Sequence, residues 1–157
     1  MDTEEKIITD EKYMLEAIKE ASEAAGAGEI PVGAVIVRNG EIIARAHNTR
    51  ETAKNALCHA ETLCIDRACR ALHGWRLPGC TLYVTLEPCP MCAGAIINSR
   101  IERLVYGAPD LKAGSVSSVV RLFDLPYNWK PEVTSGVLAA ECAGLLGDFF
   151  RSLRKKP

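Results

Sequence analysis

Residues 81–95 read TLYVTLEPCPMCAGA, and this stretch decides the fold. Residues 81–86 form an apolar, β-rich run that is typical of a buried strand, and a helix is predicted from about Cys89 to Ser99. A strand that leads directly into a helix is the repeating unit of α/β folds. Cys89 and Cys92 lie three positions apart at the helix start, on one face, so both sulfur atoms can reach one metal ion.

The flanking segments continue the alternation of helices and strands. Residues 11–26 have helical apolar spacing, and Asn39-Gly40 is a strong hairpin signal between two strands. Before the central stretch we predict a helix over 11–26, strands over 31–37 and 41–46, a loop over 47–58 and a helix over 59–72. After it we predict a strand over 103–107, an irregular segment over 108–131 with a short helical piece near 117–123, a strand over 132–137 and a helix over 139–154.

This order predicts one domain over residues 1–157. A hairpin followed by strand–helix units gives a three-layer α/β/α fold, with a mixed sheet of about five strands and helices on both faces. The length of 157 residues fits one domain. No apolar run approaches the length of a membrane span, and the acidic start is not that of a signal peptide. We therefore expect a cytoplasmic protein with no membrane partner.

The chain has seven cysteines and no export signal, which disfavours a disulfide framework. Only Cys89 and Cys92 have the spacing of metal ligands; the cysteines expected to pack as small core residues are Cys64, Cys69, Cys80 and Cys142. The net charge of −1 does not indicate a strongly basic nucleic-acid binder. The basic cluster of Arg151, Arg154, Lys155 and Lys156 fits either a cationic helix end or a phosphate contact.

A second motif, His59-Ala60-Glu61, completes a candidate catalytic centre. His59, Cys89 and Cys92 would supply three ligands to one Zn²⁺ per subunit and leave the fourth position for water, as in catalytic zinc sites. Glu61 can then move protons as the catalytic acid and base. The combination of His-x-Glu with Pro-Cys-x-x-Cys is a known signature of zinc nucleobase deaminases. A structural zinc knot that includes Cys58 or Cys80 is the alternative, but it gives Glu61 no role.

The sequence resembles the bacterial tRNA-specific adenosine deaminases of the cytidine deaminase superfamily. The similarity extends from about Tyr13 to Arg154 and is strongest in residues 29–35, 44–48, 59–61 and 81–95. It implies a cytidine-deaminase-like fold, a homodimer and no organic cofactor. It also implies hydrolytic conversion of adenosine to inosine at the wobble position, the first anticodon position of tRNA.

The same resemblance implies which residues meet the anticodon loop. Asn48 matches the asparagine that reads the flipped base, although a turn residue after a strand is its plainer interpretation. Asp110 and Lys112 match the loop that meets the anticodon, and a solvated loop is the alternative for both. Arg151 matches an arginine near the RNA. The predicted substrate-binding set is Asn48, Ala60, Asp110, Lys112, Asn128, Trp129 and Arg151.

Residues 113–131 depart from the family pattern. Family members usually have a glycine-rich stretch ending in Gly-Ser-Leu and, later, Asn-His-Arg. Here Asn128 is kept, whereas Trp129 replaces the histidine. Trp129 could stack on a base, narrow the pocket or simply pack at the surface. The departures therefore keep a second hypothesis open, in which the same scaffold deaminates a free nucleobase, nucleoside or related heterocycle.

Overall fold

A computed structural model describes residues 1–155 of the chain, so Lys156 of the basic cluster lies outside the described residues. The helices are α1 (Thr3–Gly26), α2 (Arg50–Ala53), α3 (Ala60–Leu72), α4 (Pro90–Ser99) and α5 (Ala139–Arg154). The strands are β1 (Gly33–Arg38), β2 (Glu41–His47), β3 (Cys80–Leu86), β4 (Arg103–Ala108) and β5 (Glu132–Thr134). A single 3-10 turn spans Leu122–Asp124.

The five strands form one mixed sheet in the order β2-β1-β3-β4-β5. Strand β1 pairs antiparallel with both β2 and β3, whereas β3, β4 and β5 are parallel neighbours. The antiparallel pair is the predicted hairpin through Asn39-Gly40. The mixed five-stranded sheet is therefore confirmed.

Helices cover both faces of the sheet because the inner strands are apolar on both sides. Ala34 and Ile36 of β1 face the core shared with α3 and α4, while Val35 and Val37 face the core beside α1 and α5. This alternation follows from the two-residue period of a strand. The predicted three-layer α/β/α arrangement is confirmed.

Gly33 at the start of β1 sets how closely α1 packs. A Cβ atom placed there would lie 2.1 Å from the carbonyl oxygen of Ala17. Only glycine permits this approach of helix to strand. The contact, which also involves Glu20 and Ala21, holds the second half of α1 against the start of β1.

Several element boundaries differ from those predicted. Helix α1 begins at Thr3 and not at residue 11. The prediction missed its first turns because they are exposed and show no apolar stripe. Asp2 caps the helix by accepting from the backbone N–H of Glu5 at 2.8 Å. Strand β5 is shorter than 132–137, since it pairs only with β4 at the sheet edge. The loop predicted over 47–58 contains the short helix α2, and the helical piece near 117–123 is only the 3-10 turn.

The seven cysteines are all free thiols. Cys64, Cys80 and Cys142 are buried, as predicted, whereas Cys69 is half-buried and packs against the edge of the core. Over residues 1–155, none of the helices has both the length and the apolar character needed to cross a bilayer.

Candidate active site

The site lies at the carboxyl end of β3, where two helices begin side by side. His59 is the residue that precedes α3, and Cys89 is the one that precedes α4. Neither side chain caps its own helix by a hydrogen bond. Instead both project into the space between the helix starts, where unpaired backbone N–H groups favour anionic ligands.

The structure brings His59, Cys89 and Cys92 together. His59 Nδ1 lies 3.6 Å from the Sγ atoms of both cysteines, and the three donor atoms are all within 4.8 Å of one another. In a tetrahedral zinc site with Zn–S near 2.3 Å and Zn–N near 2.0 Å, an N···S separation of about 3.6 Å is expected. The spacing and the mixed nitrogen and sulfur donors fit Zn²⁺.

Proton sharing within this group favours a thiolate at Cys89. A hydrogen bond from Cys92, supported by His59, lowers the pKa of Cys89 to about 4. The same hydrogen bond, together with burial, raises the pKa of Cys92. The hydrogen bond with Cys89 also raises the pKa of His59. The two thiols and the imidazole thus share protons among themselves. A divalent cation can replace those protons and bind all three side chains.

Glu61 is in the first turn of α3 and is 4 % exposed. Burial raises the pKa of its carboxyl group to about 7. A carboxyl group with such a pKa can accept and return protons at neutral pH. It borders the same cavity as His59 and Cys89.

This cavity has a volume of about 200 Å³ and is bordered by His59 and Cys89 of the three candidate metal ligands. It is smaller than pockets that hold drug-sized ligands, which start at about 300 Å³, so it suits a single flat ring system. The apolar part of its wall comes from Ile30, Val32, Ala60, Leu86 and Ala113; the polar part comes from Asn48, Arg50, His59, Glu61, Glu87, Cys89 and Asp110.

Asn48 lies in the cavity wall and is buried. Its Nδ2 donates to the carbonyl of Ile30 at 3.2 Å, and its Oδ1 accepts from the backbone N–H of Arg50 at 3.1 Å. The second bond is that of a turn residue. An amide has two N–H donors and two acceptor lone pairs, so one of each remains for a ligand.

Ala60 and Asp110 also border the cavity, whereas Lys112 does not line it. The Oδ1 atom of Asp110 accepts from the backbone N–H groups of Lys112 at 3.0 Å and Ala113 at 3.2 Å. These bonds shape the turn that Asp110 begins. The side chain of Lys112 is exposed beyond it.

The remaining predicted substrate-binding residues lie outside the cavity wall. Asn128 is exposed, and Arg151 is an exposed residue of α5 that pairs with Asp148. Trp129 packs against the core on the α3 and α4 side, and its Nε1 donates to the carbonyl of Ile101 at 2.8 Å. These contacts are of the packing kind, and a contact of Trp129 with a base stays a prediction.

Within residues 1–155, the group formed by His59, Cys89 and Cys92 includes neither Cys58 nor Cys80, the two cysteines of the alternative zinc knot. The Sγ atom of Cys80 instead contacts the carbonyl of Pro78 at 3.7 Å, at the opposite end of β3. Sequence reasoning did not identify Glu29, Arg50 and Glu87. Glu29 and Glu87 are both 1 % exposed. The sequence signal for their burial was that each carboxylate stands directly beside an apolar run.

The comparisons with known proteins agree with this geometry. Residues 8–154 match the family of MafB19-like deaminases. The chain is 60 % identical to the tRNA-specific adenosine deaminase of Bacillus subtilis over 94 % of its own length and 92 % of that protein. A guanine deaminase structure from Bacillus subtilis is 26 % identical, with a TM-score of 0.60 over all of this chain and 96 % of that one.

A solved structure from work on A-to-I editing by tRNA:A34 deaminases at the wobble position of transfer RNA is 47 % identical to this chain. It superimposes with a TM-score of 0.84 and covers 86 % of this chain and 99 % of that one. This similarity confirms the predicted cytidine-deaminase-like fold. Since both sequence and structure match over nearly the whole length, the chain belongs to the family of bacterial tRNA-specific adenosine deaminases.

Proposed function

We propose that this protein converts adenosine to inosine at the wobble position of tRNA by hydrolytic deamination. The observation that carries the proposal is one cavity wall that combines His59 and Cys89 of the His/Cys/Cys group, the buried carboxyl of Glu61 and the amide of Asn48. The reaction consumes one water and releases one ammonia. A target base in an anticodon loop is already unpaired, so turning it into the cavity costs little.

The metal ligands in this proposal are His59, Cys89 and Cys92. A Zn²⁺ ion held by them would polarise water and lower its pKa towards neutrality. Their donor distances support this assignment. The cytoplasm, where tRNA is used in bacteria, is the expected location.

Glu61 is the proposed catalytic residue. It takes a proton from the attacking water and gives it to the ring nitrogen next to the carbon that bears the amine. It then moves the second water proton to the departing amine, so that ammonia leaves and the oxo product remains. A carboxyl group with a pKa of about 7 can perform both transfers near neutral pH.

Asn48 and Ala60 are proposed to orient the base. The free donor and acceptor of the Asn48 amide can pair with one edge of a purine. Ala60 is the first residue of α3, and its backbone N–H has no acceptor within the helix. Asp110, Lys112, Asn128 and Arg151 are proposed to act farther out, along the anticodon loop, and Trp129 to support that surface.

We further propose a homodimer. The segment after β4, which includes the cavity residues Asp110 and Ala113, carries exposed apolar side chains, namely Leu111, Val119, Val120 and Leu125. A second copy would cover such a surface. Light scattering during size-exclusion chromatography tests this, and a monomer at micromolar concentration would contradict it.

The experiment offers the zinc-loaded protein a transcript of an arginine tRNA with adenosine at the wobble position. Free adenine, adenosine, guanine, cytosine and cytidine are tested in parallel, with ammonia release and tRNA sequencing as readouts. We expect inosine at that one position, and none with Glu61→Gln. Ammonia from a small substrate with unchanged tRNA would instead select the free-nucleobase hypothesis, which the lower similarity to guanine deaminase supports less well.

A further inference from the structure

Glu87 has no role in the proton transfers, yet it is one of the most buried charged residues of the protein. It follows β3 directly, lies 1 % exposed and borders the cavity. Its backbone N–H donates to the carbonyl of Ala108 at 2.9 Å, which fixes its main chain to the end of β4. The side chain is therefore held at the junction between the metal-side helix and the segment after β4.

Its carboxylate binds that segment through five hydrogen bonds. Oε1 accepts from the backbone N–H of Asp110 at 3.1 Å and from the hydroxyl of Ser118 at 2.6 Å. Oε2 accepts from the backbone N–H groups of Val116 at 3.1 Å, Ser117 at 2.9 Å and Ser118 at 3.0 Å. One buried anion thus binds both ends of residues 110–118, which the structure builds with little regular secondary structure.

Only a carboxylate can fill this place. Every partner is a donor, and a carboxylate presents acceptors on both oxygen atoms, whereas an amide would direct N–H groups at N–H groups. A hydrogen bond to a charged group also contributes more than a neutral one. The arrangement is specific for glutamate and not merely for a polar side chain of that size.

Gly114 shows how closely the segment approaches. A Cβ atom at this position would lie 2.3 Å from the carboxyl carbon of Glu87 and 2.4 Å from the carbonyl oxygen of Asp110. The carboxyl carbon is fixed by the five hydrogen bonds of Glu87, and the carbonyl of Asp110 is fixed because it accepts from the backbone N–H of Gly114 at 2.8 Å. A methyl group at residue 114 would therefore push residues 110–118 away from Glu87, the same displacement that loss of the Glu87 carboxylate would cause.

We propose that Glu87 is a positioning residue that holds residues 110–118 as the outer wall of the cavity and thereby sets the affinity for the substrate nucleotide. The inference rests on the proposed function only in taking this cavity as the substrate site. Glu87 acts through Asp110 and Ala113, which line the cavity. Its loss should weaken substrate binding and leave the proton chemistry intact.

The experiment compares Glu87→Gln and Gly114→Ala with the wild-type protein in steady-state deamination. The control is Asp10→Asn, another buried carboxylate, which binds Arg103 at 2.6 Å and Tyr83 at 2.9 Å away from the cavity. We expect each test variant to raise KM by roughly tenfold, with kcat and zinc content near wild type. The double variant should raise KM no further than either single one, because both changes displace the same segment.

Asp10→Asn separates positioning from simple loss of stability. It should lower the melting temperature while KM stays at the wild-type value. The proposal is overturned if KM is unchanged in both test variants, or if kcat falls as far as KM rises and Asp10→Asn behaves in the same way. Should the wild type act on a free nucleobase and not on tRNA, the proposed function fails, and the same measurements with that substrate still decide the role of Glu87.

Discussion

The two sides of the cavity are built in different ways. On one side, His59, Glu61, Cys89 and Cys92 project from two helix starts, and their positions follow from short-range spacing along the chain. On the other side, residues 110–118 have little regular secondary structure and are held by a carboxylate more than twenty positions earlier in the chain. Four of its five hydrogen bonds come from backbone N–H groups, which nearly every residue type provides. The wall can therefore change in sequence while the chemistry beside it stays constant.

Removing a metal ligand should have the largest effect. Cys92→Ala deletes one of three donors, so we expect zinc content to fall and turnover to drop below detection. Zinc per chain and ammonia release measure this. The control is Cys64→Ala, a fully buried thiol of α3 outside the site, which should keep zinc and cost roughly 1 kcal/mol of stability. Full zinc content in Cys92→Ala would contradict the ligand assignment.

Glu61→Gln should leave the metal site in place and remove the proton transfer. General acid–base catalysis contributes about 10²- to 10⁴-fold, so turnover should fall by that amount. Zinc content and melting temperature should match the wild type. A Glu61→Gln protein with near-native turnover would show that another group moves the protons.

Glu29 offers a test, through pH, of how α2 is held beside the cavity, since its carboxylate accepts from the backbone N–H groups of Glu51 and Thr52. Burial alone would raise the pKa of Glu29, but hydrogen bonds from Thr52 and Glu51 outweigh it and lower the pKa. Because the folded protein favours the ionised form, this stabilisation is present above the ordinary carboxyl pKa and is lost as pH falls through the lowered value. Glu29→Gln should cost about 1.5–3 kcal/mol at pH 7.

Urea unfolding at pH 7 and in the acid range measures this difference. The free-energy gap between wild type and Glu29→Gln should narrow as the pH falls below the ordinary carboxyl pKa. A gap that stays constant across this range would show that packing, and not the charge of Glu29, stabilises the turn of α2.

Trp129→Phe should have the smallest effect and tests a predicted substrate-binding residue that lies outside the cavity wall. It removes the hydrogen bond to Ile101, which is worth about 1 kcal/mol, and keeps an aromatic ring. We expect a modest loss of stability with unchanged KM. Trp75→Phe is the control, since that indole is 54 % exposed. A raised KM in Trp129→Phe alone would mean that Trp129 contacts the substrate.

The sequence predicted the inner side of the site better than the outer side. The strand and helix patterns, with the spacing of the two motifs, were sufficient to predict that four side chains lie close together, namely His59, Glu61, Cys89 and Cys92. A motif at a helix start has few possible geometries. The roles of Glu29 and Glu87 were missed, since all but one of their hydrogen-bond partners are backbone N–H groups distant in sequence, which carry no residue signature. The early turns of α1 were missed because an exposed helix has no apolar stripe.

The placement of the N-terminus has a practical consequence. Lys6 and Asp10 of α1 pair with Glu132 and Arg103, the first residues of β5 and β4, whereas the cavity opens at the opposite ends of the parallel strands. A fluorophore or affinity tag attached at the N-terminus is therefore separated from the cavity by the length of the sheet. Surface immobilisation through that end would leave the cavity facing the solution, which suits real-time recording of RNA capture and release.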